Sequence, residues 1–143
     1  MLFNKNQAKI DDFHIIQDGM LVSFLLQINT EQVRILSCYA LSAGDEPEFF
    51  YQCKDVLNLA TEKHGIIVGD FNTTLHPILD RKNDKTYTHK KSRLVINNWI
   101  ANEEMFFLFL FTNGSDQIWT YQCKETHDQT LKGRIDYVLG TPV

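Results

Sequence analysis

The tetrapeptide Gly69-Asp70-Phe71-Asn72 stands directly after the short apolar run Ile66–Val68 and narrows the local fold sharply. Three β-branched residues followed by Gly-Asp predict a buried strand that ends in a turn. A carboxylate and a carboxamide two residues apart are thereby placed at the rim of a sheet, where ligands commonly sit. Asp70 offers the hard oxygen that Mg²⁺ prefers, or a group that positions a proton. Asn72 can donate hydrogen bonds to a phosphate oxygen. Alone, the tetrapeptide fits equally well a Gly-Asp turn that merely closes a strand.

The surrounding sequence supplies the rest of a layered fold. Met20–Ile28 and Val33–Tyr39 are apolar runs joined by a polar turn at Asn29–Gln32, which predicts an antiparallel hairpin. Ser42–Pro47 reads as loop. Phe49, Phe50, Cys53, Val56, Leu57 and Ala60 then recur at helical spacing. Asp45 with Glu48 reads as a capping box for that helix, Pro47 suits its first turn, and His64-Gly65 ends it. A polar loop spans Thr73–Lys91. A second helix starts near Ser92, with Leu94, Ile96, Trp99 and Ile100 as its apolar residues. Phe106–Phe111 predicts a strand, and Ile118–Cys123 with Arg134–Leu139 predict a final strand pair. The order is that of an α+β chain forming one domain over residues 1–143.

Charge and cysteine usage narrow the classes. The net charge of −4 has the wrong sign for a chain that binds nucleic acid over its whole surface. The stretch Asp80–Arg93, however, carries Arg81, Lys82, Lys85, Lys90, Lys91 and Arg93 against Asp80 and Asp84, a local +4 that leaves −8 elsewhere. Such a stretch is either a solvated loop or a phosphate contact. Cys38, Cys53 and Cys123 are odd in number and lack Cys-x-x-Cys spacing, so neither a disulfide framework nor a zinc site is indicated, and a reducing compartment, nucleus or cytoplasm, is expected. The longest apolar run, Met105–Phe111, has seven residues where a membrane span needs ~20, and the start Met1–Lys9 has no apolar signal core.

Gly69-Asp70-Phe71-Asn72 behind an apolar strand resembles the endonuclease/exonuclease/phosphatase (DNase I-like) family, and it has company. Leu36-Ser37-Cys38-Tyr39-Ala40 is similar to the family's strand ending in Tyr-Ala-Pro-Asn. Leu79-Asp80-Arg81 is similar to the Asp-Arg that follows in LINE-type retrotransposon endonucleases. Ile118-Trp119-Thr120-Tyr121 resembles the family's aromatic strand, and Arg134-Ile135-Asp136-Tyr137-Val138-Leu139 its Ser-Arg-Ile-Asp-Tyr-Ile-Leu strand. Several elements in one order are far more specific than any one of them.

The resemblance implies a truncated DNase I-like two-sheet α/β sandwich and a Mg²⁺- or Mn²⁺-dependent phosphodiesterase acting on DNA. It implies that Tyr39 stands by the scissile phosphate, that Asp70 orients water beside the metal, and that Asn72 and Arg81 contact substrate. Asp136 would orient a catalytic histidine. The chain also departs from the pattern. Leu41-Ser42 replace Pro-Asn, and Thr120 follows the aromatic instead of preceding it, so Thr120 is left out of the site. The family's Gln-Glu-Thr element, whose Glu is the main metal ligand, and its Ser-Asp-His element have no counterpart in the sequence. His14, His64, His76, His89 and His127 read as surface histidines. The chain is therefore expected to be inactive alone and prone to self-association, or to require a partner such as a reverse-transcriptase portion. The alternatives are a non-catalytic nucleic-acid or protein interaction module, or a phosphatase of the same fold.

Overall fold

A computed structural model describes residues 8–59, 64–76, 80–82, 89–102, 104–108, 120–124 and 130–142 of the chain. Its elements are β1 (Ala8–Ile16), β2 (Leu21–Ile28), β3 (Glu31–Tyr39), α1 (Pro47–Leu59), β4 (His64–Asp70), β5 (Arg81–Lys82), α2 (Lys90–Ala101), β6 (Phe106–Phe107), β7 (Tyr121–Lys124), β8 (Thr130–Gly133) and β9 (Asp136–Gly140). Six strands form one sheet in the order β1-β2-β3-β4-β9-β6, and β5-β8-β7 form a second. This is a mixed α/β architecture.

The hairpin read from the sequence is present: β2 and β3 run antiparallel from Leu21↔Cys38 to Ile28↔Glu31. Asn29 takes a left-handed φ of 55° at the turn, a conformation Asn tolerates better than most residues. β3 then pairs parallel with β4, with α1 as the crossover between them. A parallel pair needs such a long connection because its strands must start at the same end.

Along the large sheet, alternate residues bury their side chains under the helices. Leu21, Leu36, Cys38, Ile67 and Leu139 come from four neighbouring strands and pack with Phe50 and Cys53 of α1 and with Ile96 and Trp99 of α2. Burial holds both thiols protonated, and that of Cys53 is pushed up to about 12, so the two behave as small hydrophobes. A chain of rings, Phe49–Phe50–Phe71–Tyr137–Phe107, runs through this core at centroid spacings of 5.3 to 5.9 Å. No helix among the described residues is long and apolar enough to cross a membrane.

Several local expectations are corrected. Asp45 does not cap α1; its carboxylate accepts from the backbone N–H groups of Lys91 and Ser92 and from the Ser92 hydroxyl, at 2.7 to 2.9 Å, and so caps α2. His64-Gly65 do not end a helix but open β4, because Ile66 and Ile67 extend pairing back to Val33↔His64. Leu94 is 61% exposed, and Val95 takes the core position beside Ile96. Residues 121–124 do not pair with 134–139. β7 instead pairs with β8, a strand the sequence reading lacked, while β9 joins the large sheet. β1 was likewise not anticipated. Its alternation is broken by a bulge between Asp11 and His14, where Asp12 has φ 49°. Ala60, Phe109–Phe111 and Ile118-Trp119 lie outside the described residues.

Candidate active site

The registers of three strands assemble the site. Tyr39 ends β3 opposite Asp70, the last residue of β4, and Asp70 stands opposite Asp136, the first residue of β9. Residues directly opposite one another share a face, and neighbouring strands lie only ~4.8 Å apart. Tyr39, Asp70 and Asp136 therefore form one rank across the sheet, on the face away from the helices. Tyr39 is 54% exposed, so it is not the core tyrosine that a strand end commonly carries. Backbone bonds lock the rank, with Ala40 N donating to Asp70 O at 2.9 Å and Phe71 N to Ile135 O at 2.8 Å.

Phe71 anchors the tetrapeptide. It is 1% exposed, with its ring 5.5 Å from Phe50 and 5.4 Å from Tyr137, so the residues on either side are turned outward. Asn72 sits at φ 45°. Its N–H donates to Asp70 Oδ1 at 2.8 Å and its Nδ2 to the Ala40 carbonyl at 2.6 Å. One amide hydrogen of Asn72 is thus committed to positioning the site, and the second has no partner among the described residues.

Burial pushes the Asp70 carboxyl above the usual carboxylate range. The Asn72 N–H opposes this and the charge of Asp136 adds to it. A carboxyl raised by folding costs stability above its folded value; that cost fades as pH falls from there toward the ordinary value of 3.8 and is absent below it. Asp70→Asn keeps an acceptor for the Asn72 N–H. It is expected to raise the thermal midpoint at pH 7 and to leave it unchanged near pH 3. A lower midpoint at pH 7 would contradict the assignment.

A divalent cation fits here on chemical grounds. Two hard-oxygen donors stand side by side, and positive charge between them would offset the burial of Asp70 and the repulsion that the Asp136 charge adds to it. Among the described residues no group of three or more His, Cys, Asp or Glu side chains is arranged to hold a metal. Asp70 and Asp136 would hold the ion as a pair.

Three supports of the site were not legible from the sequence. Thr120, left out there, accepts at Oγ1 from the N–H groups of Ile135 (3.1 Å) and Asp136 (3.2 Å), and so fixes the start of β9. His89 bonds the Asn72 carbonyl. Asp80, 1% exposed, accepts from His76 N at 2.8 Å, from the Tyr137 hydroxyl at 2.9 Å and from the Arg134 guanidinium. The Asp80 of the Asp-Arg pair is therefore internal. Arg81 pairs through its backbone with Gly133 in β5, and its side chain lies outside the described residues, as do those of Lys82 and Lys85. Lys90 and Lys91 are exposed at the start of α2. The concavity lined by Lys54, Leu57, Trp99 and Thr141 lies at the opposite end of the large sheet, where Thr141 pairs with Gly65.

Solved structures share this architecture. The endonuclease domain of TRAS1, a telomere-specific non-LTR retrotransposon, superposes with a TM-score of 0.69 at 13% identity, covering 98% of this chain and 58% of that one. The Xenopus laevis APE2 catalytic domain gives 0.63 at 20% identity, covering 87% and 46%. D. rerio TDP2 complexed with a single-strand DNA product gives 0.60 at 12%, covering 96% and 54%. The chain thus spans about half the length of these proteins. No protein-family profile and no curated protein matches the sequence. On the shared architecture, the chain has the DNase I-like fold of the endonuclease/exonuclease/phosphatase proteins.

Proposed function

We propose that this chain carries a retroelement-type, metal-dependent phosphodiesterase site directed at DNA, and that the chain alone binds without turning substrate over. The observation that carries the reading is the rank Tyr39–Asp70–Asp136 with Asn72 beside it. Tyr39 can donate its exposed hydroxyl to a phosphate oxygen, and Asn72 its second amide hydrogen. Asp70, raised by burial, can orient or accept a proton from an attacking water. Mg²⁺ or Mn²⁺ held by Asp70 and Asp136 would supply positive charge against the charge developing on the phosphate. Two carboxylates bind such an ion weakly without phosphate oxygens. Groups that act together in hydrolysis are strongly non-additive, so a partial set loses most of the rate.

Support for DNA comes from the exposed Lys90 and Lys91, from the basic composition of residues 81–93, and from the DNA in the TDP2 complex. Binding through lysines and arginines to phosphates is independent of sequence and falls steeply with salt. Replacing Lys85, Lys90 and Lys91 by Glu is expected to weaken binding of a labelled duplex at least ~10-fold, since three charge reversals remove several phosphate contacts. Asp70→Asn should leave binding unchanged or tighter. The chain should not nick supercoiled plasmid. Salt-insensitive binding, or metal-dependent nicking abolished by Asp70→Ala, would contradict the respective halves of the proposal.

A second reading, a protein-interaction module that self-associates, draws on β1. Its apolar residues Ile10, Phe13 and Ile15 are all exposed on a strand paired on one side only among the described residues. Concentration-dependent sizing distinguishes it, because self-association through β1 should be lost in Ile10→Lys with Ile15→Lys while DNA binding persists.

A further inference from the structure

His89 breaks the local rules where it stands. It occupies the N-cap of α2, a position that ordinarily has extended backbone and a Ser, Thr, Asp or Asn side chain. Here it has φ 54° and ψ 50°, in the left-handed region, and makes no side-chain cap bond. Asp45 performs the capping from another loop. A non-glycine residue in that region is strained, and such outliers persist where the surroundings hold them for another purpose. What the imidazole does instead is reach the site: Nδ1 lies 2.6 Å from the Asn72 carbonyl oxygen.

A carbonyl only accepts, so Nδ1 must carry the proton and, in the neutral ring, Nε2 is the bare nitrogen. The contact completes the fastening of Asn72. Its N–H is on Asp70, its Nδ2 on Ala40, and its C=O on His89. Asn72 is itself left-handed at φ 45°, so it needs these bonds to stay there. We propose that His89 is a positioning residue of the rim, clamping the Asn72 carbonyl from the start of α2 and thereby holding the Asn72 N–H on the Asp70 carboxylate. The importance of this clamp rests on the reading of Asp70 and Asn72 as site residues, but the clamp is tested without DNA or metal.

The test uses the isotope-labelled full chain in NMR. The long-range proton–nitrogen spectrum of His89 should show a protonated Nδ1 and an unprotonated Nε2 at a pH where the ring is neutral. Hydrogen exchange at the Asn72 amide should speed up roughly tenfold in His89→Ala, as expected for losing support worth about one hydrogen bond. His89→Asn, whose carboxamide nitrogen falls where Nδ1 lay, should restore most of the protection. His89→Gly relaxes the left-handed backbone, so global stability should hold or rise while Asn72 protection still falls. A protonated Nε2 with bare Nδ1 would overturn the proposal. So would unchanged Asn72 exchange in the Ala and Gly variants, or an Asn variant no better than Gly. Should His89→Ala fail to fold, the tautomer of the unaltered chain and the Gly variant decide. Failure of DNA or metal binding with these signatures intact would count against the phosphodiesterase reading alone.

Discussion

Gly69→Ala is expected to destabilise the chain by about 3 kcal/mol or more, or to prevent folding altogether. Gly69 has φ +148°, and a Cβ there would lie 1.9 Å from the Cys38 carbonyl oxygen and 3.0 Å from the Cys38 nitrogen. Both obstacles are backbone, and Cys38 and Gly69 are paired partners in the parallel ladder of β3 and β4. Relief requires the strands to part where the next pair is Tyr39↔Asp70, so the substitution strikes the site and the fold together. Gly65→Ala is the control. Its Cβ would meet one δ-methyl of Leu57 at 2.7 Å and the other at 3.4 Å, a flexible side-chain end that can rotate away. Urea unfolding of the two variants should show a large loss for Gly69→Ala and a modest one for Gly65→Ala. Equal losses would contradict the backbone argument.

Asp80→Ala should cost about 3–5 kcal/mol, the range for removing one partner of a buried ion pair. Its carboxylate gathers the His76 N–H, the Tyr137 hydroxyl and the Arg134 guanidinium, and the Asp80 backbone joins in, accepting from Arg134 N at 2.9 Å and donating to His76 O at 2.7 Å. Without the carboxylate, Arg134 loses its counter-charge while its side chain is only 15% exposed and its Nε has no hydrogen-bond partner among the described residues. The Tyr137 hydroxyl has one proton and two acceptors, Asp80 and the Arg134 carbonyl, so it would turn to the latter at 2.7 Å. Burial first, and then the nearby charge of Asp80, keep that phenol protonated well past the usual tyrosine range. Asp80→Asn retains the shape and loses the charge, and should fall between Ala and the unaltered chain. A loss under about 1 kcal/mol for Asp80→Ala would show that the network is not what joins His76 and Asp80 to Arg134 and Tyr137.

What the sequence made legible was local. The Ile66–Val68 run with Gly-Asp behind it announced a strand end, and the structure puts Asp70 there. Arg134–Leu139 announced a strand, and in β9 Asp136 faces out while Tyr137 is buried. Both readings need only period-two geometry. What stayed hidden depends on distant pairing. Asp45 reads as the cap of the helix beside it, yet its targets Lys91 and Ser92 lie 46 and 47 residues along the chain. Thr120 falls on the wrong side of the aromatic for the motif, whereas its hydroxyl works by meeting two N–H groups of another segment. β1 escaped because Lys9, Asp11 and Asp12 interrupt its apolar residues and a bulge breaks the alternation. His89 offered no signal beyond being a histidine before a helix.

Tyr39, Asp70 and Asp136 are expected to act with Asn72 as one cation-competent rank. Titrating the labelled chain with Mn²⁺ and following paramagnetic broadening of its amide signals tests this most directly. Signals of Tyr39, Ala40, Asp70 to Asn72, Ile135 and Asp136 should weaken first and together, and the effect should vanish in Asp70→Asn with Asp136→Asn. Broadening spread over the acidic surface, or one that survives the double substitution, would contradict the shared site.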